Sequence, residues 1–306
     1  MNIVKSKYAA IIFMLISALS YSIMQFCVKL TPDIPIMEKI LIRNLFSMII
    51  AFIMIRKKRV SLFGDKKNQK FLFGRTLGGY LGMNLFFIGT MQVTLSAAAI
   101  INKLSPFVVM ILAYFFLKEK ITKYHIIALL LALFGSWLVI KPQFSSSVMA
   151  IVILLISAVL SGIAFTSLKA LGDKENEYTI VFHYSFFSVF ISIPFLIFNF
   201  ILPDLKSTLI LLSVGIFAAV GQIALTYAYK LAPASEVSIY DYSNIIFSSL
   251  IGYIFLQEKL DWIEILGIFV IIISSVIVYR ANKDIRSTNK DIRSTNKNVR
   301  SANKKH

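Results

Sequence analysis

The sequence predicts an all-α integral membrane protein of ten transmembrane helices, arranged as two inverted five-helix repeats. Three observations carry that prediction. Apolar stretches of spanning length recur along nearly the whole chain, the Lys and Arg between them alternate from rich to poor, and polar landmarks of the first half return about 140 residues later. Of the 306 residues, 58% are hydrophobic and only 15% charged, with a mean hydropathy of +0.77. Soluble domains carry about a quarter charged residues, so the long charge-poor stretches point to a bilayer as solvent.

A helix needs about 20 apolar residues to cross a bilayer. The predicted spans are 8–30, 36–55, 71–92, 95–117, 121–140, 148–169, 178–202, 207–229, 235–256 and 260–279. Turn chemistry separates several of them: TPDIP at 31–35, KPQFSSS at 141–147, Pro203 with Asp204, and LAPAS at 231–235. The first run, Tyr8 to Val28, exceeds the roughly 7–15 apolar residues of a signal peptide and reads as a retained helix.

The intervals set the orientation. With the N-terminus inside, fifteen Lys and Arg fall in inside loops, Lys5 and Lys7 through Arg56–Arg59, Lys118 and Lys230 among them. Only Lys29, Lys141, Lys206 and Lys259 fall outside. By the positive-inside rule both termini of this multi-pass protein are expected in the cytoplasm. The net charge of +17 is therefore read as orientation and contact with membrane lipids, and no nucleic-acid partner is expected. The tail 281–306 repeats NKDIRST at 282–288 and 289–295. One apolar residue per heptad is too few for a coiled-coil seam, so a disordered basic cytoplasmic tail is expected.

The repeat is clearest at charged positions. LISA at 15–18 returns at 155–158, and AYFFLKEKI at 113–121 returns as GYIFLQEKL at 252–260. On that offset Glu119 meets Glu258, Ser96 meets Ser235, and Asn102–Lys103 meet Asp241–Tyr242. The expected units are residues 1–141 and 142–280, followed by the tail. Five is odd, so the second unit enters the membrane from the opposite side, as in many secondary transporters. Two similar packings of opposite orientation give two states of similar energy, one open to each side.

With its 5+5 layout, Arg43 in the second span, Ala97–Ala99 and Pro106 in the fourth, and the endings FLKEKIT and FLQEKLD, the chain resembles the EamA branch of the drug/metabolite transporter superfamily over about residues 5–280. That resemblance implies carriage of small metabolites through a central cavity between the halves. Pro106 has no counterpart in the second unit, where Ile245 stands. SIYDYSNIIFSSLIGYIF, with Tyr240 and Tyr242 beside an acid, is also similar to S-adenosylmethionine uptake transporters of obligate intracellular bacteria. It implies amino-acid or nucleoside-like cargo and a place in a bacterial cytoplasmic (inner) membrane. An exporter of another substrate class is the alternative.

Charges inside a bilayer cost roughly 2.5–3.5 kcal/mol at mid-helix on insertion scales, so those present pair or serve a site. Arg43, about two turns into its span, is a candidate contact for a substrate carboxylate or phosphate; an internal ion pair is the alternative. Lys103, with Asn102, precedes Pro106, which removes a backbone donor and kinks the helix. Lys103 and Asp241 are expected on either side of the midplane at the centre of the substrate site, against a structural salt bridge. Asp241 and Glu236 are the candidates for coupling to an ion; for Glu236 the helix dipole is the competing explanation. Tyr240, Tyr242 and Gln222 complete the candidate substrate-binding set. Glu38 and Lys39 are expected to snorkel, Arg75 to anchor at the inner interface, and Tyr227 and Tyr229 to sit in an aromatic belt. Glu119 and Glu258 are expected to cap or pair. Gly78 and Gly82 form one GxxxG, a spacing that admits a homodimer.

The sole cysteine, Cys27, and the scattered His125, His183 and His306 offer no metal or cofactor site. HExxH, GxSxG and P-loop patterns are absent, which disfavours the competing reading of a multispan membrane enzyme and direct use of ATP.

Overall fold

The computed structural model describes residues 3–90, 92, 101–140, 148–196, 200–256 and 261–280. The expectations for Ser96, Ala97–Ala99, the 141–147 turn, Glu258, Lys259 and the basic tail lie outside the described residues.

Among the described residues the chain is all helical. In order come α1 (Ile3–Lys29), α2 (Ile36–Lys58), α3 (Gln69–Thr90), α4 (Ser105–Leu117), α5 (Lys123–Ile140), α6 (Val148–Leu171), α7 (Glu177–Leu196) and α8 (Leu205–Leu231). Next is α9, made of Ala234–Val237, a 3-10 stretch Ser238–Tyr242, and Ser243–Leu256. Last is α10 (Trp262–Arg280). Local chemistry sets the ends. Pro35 precedes α2, and Arg59 stops it in a left-handed conformation at φ 54°. Lys118 ends α4 in the same way. Asp204 caps α8 by accepting the Ser207 N–H at 2.9 Å. α7 is described only as far as Leu196, two residues past the internal Pro194, and falls short of the predicted 202.

Among the described residues six helices are long and apolar enough to cross a membrane: α1, α5, α6, α7, α8 and α10. α2, α3, α4 and α9 do not reach that standard. Three of them carry Glu38, Lys39, Arg43, Arg75 and Asp241, and Lys103 stands just before the fourth, α4. α2 and α3 miss the standard with charged residues inside them, whereas α4 is apolar but short. The outer surface is apolar. Phe115, Phe116, Phe269 and Trp262 point outward while Ser17, Ser157, Ser185 and Ser188 are buried. A polar interior inside an apolar jacket suits a lipid surround.

Packing runs between the two halves of the chain. α3 packs most closely on α6, α1 on α8 and α9, α2 on α7 and α8, and α4 on α6. A Cβ on Gly78 would lie 2.8 Å from the Leu160 carbonyl, and Ser157 Oγ donates to the Gly82 carbonyl at 2.6 Å. The GxxxG face is therefore used inside the chain, against α6, and is not a free dimerisation face. Small residues let two backbones approach and trade dispersion contacts along their length.

Candidate functional site

The site forms where α4 and α9 both break. Pro106 has no N–H to offer the Asn102 carbonyl, so the chain turns at Lys103–Leu104 and restarts as α4. The Phe107 N–H bonds the Leu104 carbonyl at 3.0 Å, and the Lys103 carbonyl is left over. The Tyr242 hydroxyl donates to that carbonyl at 2.5 Å. In return, Lys103 Nζ donates to Asp241 Oδ2 at 3.0 Å and to the Asp241 carbonyl at 3.3 Å. The Asp241 side chain stays 30% exposed and that of Lys103 12%, so the pair is shielded but reachable. Asp241 and Tyr242 lie in the 3-10 stretch, whose tighter turn changes the direction of side chains along α9.

Beside this crossing, Tyr21 of α1 donates to Gln222 Oε1 of α8 at 2.9 Å. Arg43 lies over the Tyr21 ring, 5.6 Å from its centre, and points Nη1 at Met83 Sδ at 2.8 Å. Arg43 thus has no ion pair among the described residues, which removes the internal salt-bridge alternative there. Tyr21 lies within Coulombic reach of Arg43, Arg75 and Asp241, so the groups share one region of the bundle. Arg75 is buried with its guanidinium over Tyr184 at 4.5 Å and Phe165 at 5.7 Å. Phe165 in turn stacks on Tyr229 at 5.5 Å.

Of the residues singled out from sequence, Lys103, Asp241 and Tyr242 are brought into direct contact, with Arg43 and Gln222 joined through Tyr21. Asn102 is half-buried at the α4 break. Tyr240 diverges, its hydroxyl donating to the Ser275 carbonyl of α10 at 3.4 Å. That separation follows from the 3-10 turn, which sends neighbouring side chains to different partners. Glu236 is half-buried in the first turn of α9, in Coulombic reach of Tyr240.

Several expectations need correction. Arg75 does not anchor at an interface; it is 4% exposed. Glu38 and Lys39 do not snorkel. Both are buried, with Lys39 Nζ donating to the Val28 and Thr31 carbonyls at 3.3 and 2.5 Å. Tyr229 is fully buried, and Tyr227 donates to Glu177 Oε1 at 2.6 Å. Neither sits in an aromatic belt, because each ring has a protein partner. Glu119 does cap across helices: it accepts the N–H groups of Ala234 and Ser235 at 2.9 and 3.0 Å and the Ser235 hydroxyl at 2.7 Å.

One cluster escaped the sequence reading. Glu177 joins Lys58 at 2.7 Å, Lys230 at 3.1 Å and Tyr227, tying α2, α7 and α8 at the lysine-rich end. Glu175 accepts the Asp65 N–H and the Asn68 amide at 2.7 and 2.8 Å. The signal available was a run of three acids, Asp173, Glu175 and Glu177, leading into the start of α7 on the lysine-rich side of the chain.

The comparisons with known proteins agree with this architecture. The sequence model of the EamA-like transporter family matches twice, over residues 8–141 and 148–280. The pseudopaline exporter CntI of Pseudomonas aeruginosa is 26% identical over 278 residues, covering 90% of this chain and 97% of the exporter. An uncharacterized transporter of Helicobacter pylori is 26% identical over 275 residues, 86% of this chain and 92% of that protein. Human solute carrier family 35 member G1 is 23% identical over 280 residues, 86% of this chain and 77% of the carrier. A solved crystal structure superposes with a TM-score of 0.78 at 13% identity, over 91% of this chain and 99% of that one, and speaks to the fold alone. The chain belongs to the EamA-like transporter family and is a multi-pass membrane transporter.

Proposed function

We propose that this EamA-like transporter moves a small metabolite across the cytoplasmic membrane by alternating access, with the α4–α9 crossing at the centre of its path. The observation that carries the reading is the reciprocal contact at that crossing. Lys103 reaches the backbone and carboxylate of residue 241, and Tyr242 reaches back to the backbone of residue 103. Residues 103 and 242 are equivalent on the 139-residue offset.

The two inverted units, 1–141 and 142–280, rest on three supports. The family matches twice, each match holds five helices, and the packing maps onto itself when the halves are exchanged. Under that exchange α1 with α8 becomes α6 with α3, α1 with α9 becomes α6 with α4, and α2 with α7 is its own counterpart. A site on such an axis can face either side at similar energy. The Lys and Arg bias places both termini, and the tail 281–306, in the cytoplasm. On that orientation the Glu177 and Glu119 clamps hold the cytoplasmic end shut.

The cargo is read from the site's chemistry. Asp241 suits a cationic group or carries a coupling proton, with Glu236 a second coupling candidate; Arg43 suits an oxyanion, and Tyr242 and Tyr21 suit a planar or apolar body. S-adenosylmethionine, raised by the α9 resemblance, has all three features. CntI, one relative, is a pseudopaline exporter, so a panel is the right test. Purified protein in proteoliposomes is expected to carry at least one zwitterionic metabolite of the panel, with and without an imposed pH gradient. Absence of flux for every solute removes the carrier reading, and pH-insensitive flux removes proton coupling.

A further inference from the structure

Arg75 is the charge that the crossing leaves unexplained. It comes from α3, a helix without a residue in the Lys103–Asp241 contact. It is 4% exposed, and its Nε has no hydrogen-bond partner. Among the described residues no carboxylate reaches it: Asp241 is taken by Lys103, and Glu177 by Lys58 and Lys230. Its neighbours are ring faces, Tyr184 and Phe165. A ring face offsets only part of what burying an unpaired ion costs. Arg43 lies within Coulombic reach and carries the same sign.

The niche is built to hold the group. Gly79 stands one turn along α3, and a Cβ there would lie 2.6 Å from Arg75 Nη1 and 2.9 Å from Tyr184 Cε2. A second orphan is also a donor. Gln222 is 2% exposed; its oxygen is occupied by Tyr21, and its Nε2 has no partner. Both unpartnered groups are N–H donors; Gln222 bonds Tyr21, and Arg75 lies within Coulombic reach of it. Two guanidinium groups and an amide with spare donors and no acceptor call for a ligand that accepts only: an oxyanion.

We propose that Arg75, with Arg43 and the Gln222 amide, forms an oxyanion-binding subsite for the carboxylate or phosphate of the transported solute. Tyr184 and Phe165 hold the guanidinium flat, and Gly79 makes its room. Asp241 then takes the cationic part of the same solute, so the two subsites together select zwitterions. The assignment rests on the carrier reading and narrows its substrate class.

The test uses the full-length protein in detergent and reads thermal unfolding. The probes are matched pairs, acetate and acetamide, benzoate and benzamide, N-acetylphenylalanine and its amide, together with inorganic phosphate. At least one carboxylate, or phosphate, is expected to raise the unfolding temperature with dose while the neutral amides do not. Which anions act separates a carboxylate site from a phosphate site. Arg75→Met is expected to weaken that response at least about tenfold, the factor for losing one charge-assisted hydrogen bond, and to leave the unliganded protein no less stable. Arg75→Lys keeps the charge without the planar fork and should respond in between. The proposal is overturned if no anion stabilises, if amides match their acids, or if Arg75→Met or Arg75→Lys keeps the full response. Flux is a separate readout. Anion binding without flux leaves the subsite standing and removes the carrier; flux with an unchanged KM in Arg75→Met does the reverse.

Discussion

The Tyr242 hydroxyl donates to the Lys103 carbonyl at 2.5 Å, while the Lys103 ammonium lies 5.7 Å from the centre of the Tyr242 ring. One residue thus satisfies both the carbonyl that the α4 break leaves over and part of the charge beside it. The two residues stand 139 apart in the chain, so this contact joins its first and second halves.

That contact predicts that the acid of the ion pair can be neutralised without loss of the fold. Asp241→Asn keeps shape and leaves Lys103 its backbone acceptor at 3.3 Å, so insertion and folding should survive. Transport should fall by at least tenfold, on the scale of one lost charged hydrogen bond. Initial rates in proteoliposomes check it, and wild-type rates would take Asp241 out of the path.

Glu177 predicts a stability effect at the lysine-rich end. Its side chain and that of Lys230 are about 10% exposed, whereas Lys58 is 38% exposed. Glu177→Gln leaves buried Lys230 without its carboxylate and should cost about 3 kcal/mol or more, as breaking a buried pair does. Lys58→Met should cost no more than about 1 kcal/mol. Thermal or denaturant unfolding in detergent ranks the two, and equal losses would contradict the clamp.

Gly78 separates packing within the chain from packing between chains. Gly78→Leu drives its side chain into the Leu160 backbone, where a Cβ already lies at 2.8 Å. Overpacking of that kind costs about 1–3 kcal/mol. The expected result is a lower unfolding temperature at unchanged oligomeric state, measured by light scattering with detergent correction. A change of oligomeric state at constant stability would restore the GxxxG to a dimer face.

Asp204 supplies a pH dependence. Hydrogen bonds from Ser207 hold its carboxyl below its ordinary value, and it lies outside the α8 span. A lowered folded pKa means its stabilisation is present above the unfolded value and is lost as pH falls through the folded one. Asp204→Ala should therefore lower the unfolding temperature near neutrality, with the difference from wild type shrinking in acid. A difference that grows in acid would sink the cap assignment.

Much of the site was legible in the chain because its chemistry is expensive in a membrane. Asp241, Lys103 and Arg43 stand out as charges in apolar spans, and the 139-residue offset set Asn102–Lys103 against Asp241–Tyr242. Pro106 announced the break in α4. The matching break in α9 carries no Pro or Gly in its 3-10 stretch, so no residue signalled it. Arg75 was misread because its distance along the helix from the loop resembles an anchor's. Depth along one helix says nothing about which face a neighbouring helix covers.

The sequence by itself determined the solvent and the number of helices, since each is a one-dimensional property of hydropathy, charge and spacing. Only the tertiary structure decided that the GxxxG is spent on α6, that Tyr240 turns away from Tyr242, and that Arg75 is buried without an acid. These depend on which side chains meet across the interior, and that is set by packing between helices far apart in the chain.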